Sequence, residues 1–157
     1  MRNTFFLILL AGLLLFPSSA YTQLTESNRL TLEGAKNILE AAEARAAQDN
    51  WTVAIAIVDA GGHLLAFSRI DGTQIGSIEV ALNKAKASVF YKRPTKAFQD
   101  GLQGGNTGLL TLPGFIAFEG GVPIEHNGEI IGAVGVSGVT AAQDGIIANA
   151  GIAALSR

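Results

Sequence analysis

Val53-Ala54-Ile55-Ala56-Ile57-Val58, then Asp59-Ala60-Gly61-Gly62, then His63-Leu64-Leu65-Ala66-Phe67-Ser68-Arg69 is the stretch from which the fold is read. Its first six residues are apolar without interruption, which predicts a strand buried on both faces. Alternation sends the bulky Val53, Ile55 and Ile57 to one side and Ala54, Ala56 and Val58 to the other. Asp59 to Gly62 is turn chemistry, because glycine takes positive φ without a steric cost. His63 to Arg69 then returns as the second arm of a hairpin.

The same grammar recurs in the second half of the chain. Phe115 to Phe118 reads as a strand, Gly120-Gly121 as a bend and Val122 to Glu125 as the next strand. His126-Asn127-Gly128-Glu129 holds the Asn-Gly signal of a tight hairpin. Ile130 to Ser137 follows as a strand apolar on both faces. Helices fill the gaps. Thr31 caps one that carries Leu32, Ala35, Ile38, Leu39 and Ala42 on a single face and stops near Asn50. Ile75 to Tyr91 is amphipathic, with Ile78, Ala81, Leu82, Ala85 and Val89 opposite Glu79, Asn83 and Lys86. Pro94 opens a short helix, Gly101 to Gly105 breaks it, and Leu109 to Pro113 is a compact apolar turn. Thr140 and Gln143 form a capping-box pattern for the last helix. The order α-β-β-α-(α)-β-β-β-α predicts an α+β fold. It has a five-stranded, mainly antiparallel sheet with packed helices, similar to a profilin-like or PAS-like sandwich.

The start of the chain has a different character. Arg2 precedes a run from Phe5 to Phe16 that is apolar but for Gly12, then Pro17 and Ser18-Ser19-Ala20. That run is shorter than the roughly 20 residues of a membrane span and has the layout of an export signal cut after Ala20. The expected organisation is a signal peptide over 1–20, a loose mature N-terminus over 21–29 and one domain over 30–157, with no stable membrane insertion after cleavage and a periplasmic or secreted location. With no cysteine in the chain, lipid attachment at Cys and structural disulfides are excluded. Cleavage removes Arg2 and no acidic residue, leaving 10 basic against 13 acidic side chains. That balance argues against a nucleic-acid partner.

Three segments then stand together in order. The first is Val58-Asp59-Ala60-Gly61-Gly62-His63-Leu64-Leu65 with Ser68-Arg69-Ile70-Asp71-Gly72. The second is Ser77-Ile78 and Asn83-Lys84-Ala85 with Arg93-Pro94-Thr95. The third is Gly120-Gly121-Val122-Pro123-Ile124 with Gly128-Glu129-Ile130-Ile131-Gly132-Ala133-Val134-Gly135-Val136-Ser137-Gly138 and Gln143-Asp144. Over roughly Leu30 to Leu155 this resembles the GlcG/HbpS-like family, which includes the C-terminal domain of PduO-type proteins. The resemblance implies heme binding, in some members heme or iron handling, and assembly into homo-oligomers. Exported members include a partner of a redox-sensing histidine kinase, so a sensor-protein partner is also implied.

A heme site needs an apolar slot, an axial donor and cations near the two carboxylates. The only methionine is Met1, so His63 and His126 are the strong donors. His63 follows a Gly-Gly turn where backbone can approach a flat ligand, and it is the candidate iron ligand; its alternative is a solvated hairpin residue. His126 reads more readily as a surface turn residue. Arg69 and Lys84 are candidates for the heme carboxylates, or else ordinary salt-bridge partners, for instance of Asp71 or Glu79. The resemblance also implies that the loop with Thr111 and Pro113, leading to Gly120 and Gly121, lines the ligand site. Thr111 is then a candidate oxygen donor, or simply a loop hydroxyl.

No reaction is assigned by the residues. A Gly-x-Ser-x-Gly elbow, a His-Glu-x-x-His run and a phosphate loop are all absent from the sequence. Asp59 and Asp71 sit in turns, where carboxylates are ordinary turn formers. The expected function is exported heme capture, buffering or sensing, with slow heme degradation as a minor reading. The alternative is an oligomeric interaction or sensor module that binds a partner protein or another small ligand without a heme role. Cleavage after Ala20 gives a direct expectation: N-terminal sequencing of the exported protein should begin at Tyr21, and an intact Met1 would remove the leader reading.

Overall fold

A computed structural model describes residues 27–156. The expected leader, and residues 21–26 of the expected loose segment, lie outside the described residues. In chain order the elements are helix α1 (Leu32–Gln48), strands β1 (Ala54–Asp59) and β2 (Leu64–Arg69), and helices α2 (Ser77–Phe90) and α3 (Thr95–Gln103). A 3-10 turn (Thr107–Thr111), β3 (Gly121–His126), β4 (Glu129–Ser137), α4 (Ala141–Ile152) and a final 3-10 turn (Ala153–Ser156) follow. The strands form one antiparallel sheet in the order β2-β1-β4-β3. The α+β class therefore holds, with a four-stranded sheet.

The missing fifth strand is Phe115 to Phe118. This segment runs irregularly from the 3-10 turn to β3. Its backbone joins no ladder: the Phe115 N–H donates to the nearby Leu112 carbonyl, and the adjoining Glu119 N–H donates to Gln99 Oε1 on α3. Phe115 packs edge-on against Phe98 with ring centroids 5.5 Å apart. Aromatic content and length suit a strand, but the side chain seeks helix α3 and the backbone follows it.

The two faces of the sheet are built differently, as the alternation in β1 requires. Val53, Ile55, Ile57, Ile124, Val134 and Val136 pack against Ala35, Ile38, Ala42 and Ala46 of α1 and Ile147 and Ala148 of α4. On the other face Ala54, Ala56, Val58 and Ala133 meet Ala81, Ala85 and Val89 of α2. The register puts Phe67, Ala56, Gly135 and Gly121 side by side across all four strands. Bulk therefore falls from phenylalanine at one edge to nothing at the other. A Cβ on Gly135 would collide with the Ala81 carbonyl and the Ala85 nitrogen, and one on Gly121 with the Lys84 carbonyl. Helix α2 rests its own backbone on this glycine floor.

That close approach buries Lys84, which the helical pattern had left unassigned to the apolar stripe. Lys84 is 2% exposed, and its Nζ donates to Asp144 Oδ2 at 2.8 Å and to the Val136 carbonyl at 2.9 Å. The pair ties α2 to α4 past the end of β4. Burial pushes the Lys84 ammonium below the usual lysine range, with Asp144 pulling it back. Burial likewise pushes the Asp144 carboxyl up against the pull of Lys84.

Removing one member of such a pair leaves a buried charge without a partner. Lys84→Met should cost about 3–5 kcal/mol in denaturant unfolding. Asp144→Asn in the same chain should recover most of that loss, since asparagine still accepts from the Val139 N–H that Asp144 Oδ1 now faces at 3.3 Å. Equal losses in the single and double variants would show that the pair is not the source of the penalty.

Candidate functional site

The turns at one end of the sheet border an opening. Asp59 shapes the first turn: its Oδ1 accepts from the N–H groups of Gly61 (2.8 Å) and His63 (2.9 Å). This is the turn-forming role expected of a carboxylate there. Gly62 takes φ +80°, and a Cβ on it would stand 2.6 Å from the Phe90 ring at the end of α2. The β3–β4 turn lies at the same end, with Asn127 at φ 51° and Gly128 at φ 80°, the two positive values that the Asn-Gly signal predicts.

Between these turns lies a cleft of about 770 Å³. Leu65, Ile130, Ile131 and Leu30 supply apolar wall, Gly61 supplies open backbone, and Arg29 and Lys92 bring cations. A second cleft of about 550 Å³ adjoins it and includes Glu125, His126 and Leu155. Both share Asn28, Arg29, Leu30 and Ile131.

The residues selected from sequence fall into separate places. His63 is exposed at the first turn, with its imidazole against Gly61: a Cβ on that glycine would stand 2.9 Å from Cδ2 and 3.1 Å from Nε2. Gly61 lines the larger cleft, whereas His63 itself is not among the lining residues. Arg69 is exposed at the other end of β2, paired with Ala54, away from both turns. Lys84 is enclosed with Asp144, and Gly120 and Gly121 stand directly beside it. At Gly120, φ is +124° and a Cβ would meet the Val136 carbonyl at 2.6 Å and Lys84 Nζ at 2.8 Å. Protein atoms fill the space around these glycines. Thr111 is exposed and donates to the Gly108 carbonyl at 2.8 Å, while the Pro113 carbonyl accepts from Tyr91 Oη at 2.6 Å. His126 is exposed and lines the second cleft.

Sequence reasoning did not select Arg29, Lys92 or Leu30. Leu30 carried a usable signal: it precedes the Thr31 cap, where an apolar residue commonly pins the entry to a helix. Lys92 follows α2 at φ 52°, a conformation no composition pattern announces for lysine.

The fold and the cleft define a small α+β domain with a ligand-sized opening where two hairpin turns and a helix end converge. The chain belongs to the HbpS-like family: the family model described as haem degrading protein HbpS-like matches residues 30–153. It is 41% identical over 108 residues to protein GlcG of Escherichia coli K12, covering 69% of this chain and 81% of that one. Among solved structures it is similar to Klebsiella pneumoniae protein ORFY, with TM-score 0.81, 34% identity and coverage of 88% of this chain and 98% of that one. It is also similar to a Streptomyces reticuli HbpS double mutant, with TM-score 0.77, 34% identity and 84% and 90% coverage. A PduOC:heme complex matches with TM-score 0.74, 31% identity and 81% and 95% coverage.

One contact at the cleft is expected to respond to acid. The Asn28 N–H and Nδ2 both donate to Glu129 Oε2, at 3.1 and 2.9 Å. These bonds hold the Glu129 carboxyl below the ordinary glutamate range. A depressed folded value means that the contact contributes fully above the ordinary glutamate range and is lost as pH falls through the lower folded value. The NMR shift of the Asn28 side-chain amide should therefore titrate with a midpoint below that range; a midpoint at or above it would remove the contact as drawn.

Proposed function

We propose that this protein is an exported heme-binding protein that captures, buffers or senses heme, with the larger cleft as its site. The observation that carries the reading is the composition of that cleft in a chain of this family. It offers apolar wall from Leu30, Leu65, Ile130 and Ile131, backbone at Gly61 and two cations, Arg29 and Lys92, in a lining that also holds the carboxylates of Asp59 and Glu129. Its volume of about 770 Å³ falls within the span of small-molecule sites. The leader-like run from Phe5 to Phe16 supports export.

The lining fits the group in its apolar wall and cations, and the axial donor would have to come from outside that lining, next to Gly61. His63, with its ring against Gly61, is the proposed axial donor, and Arg29 and Lys92 are proposed for the propionates, Arg29 through a planar fork and Lys92 as a point charge. Bound heme would supply an iron centre whose behaviour follows its axial ligand and surroundings. Thr111 and Pro113 line neither of the two clefts, so their loop supplies no wall in this reading. Lys84, Gly120 and Gly121 would act from behind, by fixing α2 and hence Phe90 and Lys92. Homo-oligomers and contact with a sensor protein belong to the same proposal, supported by the exposed apolar Leu64, Phe90, Leu110 and Phe118. Those same side chains favour the second reading, an interaction module without heme.

The test is a hemin titration of Tyr21–Arg157 followed in the visible spectrum. A saturable, stoichiometric band is expected. His63→Ala should shift the band, and Arg29→Ala and Lys92→Ala should each weaken affinity by roughly tenfold without shifting it. An unchanged band in His63→Ala would move the donor to His126 or Thr111. Absence of any saturable band would discard the heme reading in favour of the interaction module.

A further inference from the structure

The two clefts are separated by a four-residue segment, Ser27–Leu30, and three of its residues line both. The segment is fastened at two unlike points. At its inner end Leu30 is 8% exposed and sits over Gly132, its Cδ2 3.1 Å from where a Cβ on that glycine would stand. At its outer end the two Asn28 donors hold Glu129 Oε2 at the surface, 101 residues away in sequence. Among the described residues no other hydrogen bond or ion pair joins Ser27–Leu30 to the rest of the fold. Exposed hydrogen bonds exchange readily with water, whereas withdrawing a buried leucine re-exposes apolar surface. The outer fastening therefore yields first.

We propose that Ser27–Leu30 is a hinged partition of the ligand cleft. Leu30 is the pivot and the Asn28–Glu129 contact is the catch; releasing the catch joins the two clefts into one trough through which a flat ligand enters and leaves. Arg29, between pivot and catch, faces both clefts and moves with the partition. The gating part rests on the ligand reading given above, while the hinge itself does not.

Two measurements separate these parts. Hydrogen exchange at Arg29 and Leu30, with trypsin cleavage after Arg29, reads the hinge without any ligand. Glu129→Ala should raise both rates by about fivefold or more while leaving the global unfolding midpoint in place. Asn28→Ala, which keeps its backbone donor, should give a smaller rise. Stopped-flow hemin uptake and release read the gate: in Glu129→Ala both rates should increase together, with affinity changing much less than either. Unchanged exchange and cleavage would overturn the hinge. Faster release without faster uptake would overturn the gate and leave Glu129 as a plain ligand contact. If no variant takes up hemin, the heme proposal and its gate fall together, and exchange and cleavage still decide the hinge.

Discussion

Helix α2 lies on the sheet backbone to backbone, and that approach sets the rest of the molecule. It is possible only where β3 and β4 present Gly121 and Gly135. The graded row from Phe67 through Ala56 to these glycines holds the helix off at the β2 edge and lets it down at the other. A helix so close to the sheet has no solvent path for a side chain in the middle of its inner face. Lys84 stands there and finds the Asp144 carboxylate and the Val136 carbonyl instead. Such a pair locks geometry more than it adds stability, because the cost of withdrawing both charges from water offsets much of their attraction.

The site inherits its geometry from that arrangement. With α2 fixed along its length, its last turn brings Phe90 against Gly62, and Lys92 comes to the rim of the cleft. The rigid floor thus lies away from the opening, while the opening itself is made from turns and an N-terminal segment. Stability concentrated in one half of a fold leaves the other half free to move at low cost.

Much of the frame was legible in the residues. The Asn-Gly turn and the Thr31 and Thr140 caps are local signals, each satisfied by neighbours within a few positions, and the unbroken apolar run of β1 announces two-sided burial before its distant partners are known. Phe115–Phe118 was misread because its partner is Phe98, on a separate helix, and strand propensity does not encode that contact. The burial of Lys84 depends on two glycines about 40–50 positions further on, so no helical pattern alone could show it. His63 was placed correctly at a turn, but the cations beside the larger cleft, Arg29 and Lys92, come from two segments that meet only in the folded chain. Arg69 looked equally suitable in sequence, yet antiparallel pairing carries it to the far end of the sheet.

The glycine floor has an evolutionary consequence. At Gly120, Gly121 and Gly135 even an alanine would strike backbone, so drift there is blocked whatever the domain binds. Arg29 and Lys92 stand exposed on the rim under no such restriction. Substitution is therefore barred by packing at the floor and sterically open at the rim, so the frame of the cleft and the chemistry of its edge can vary independently.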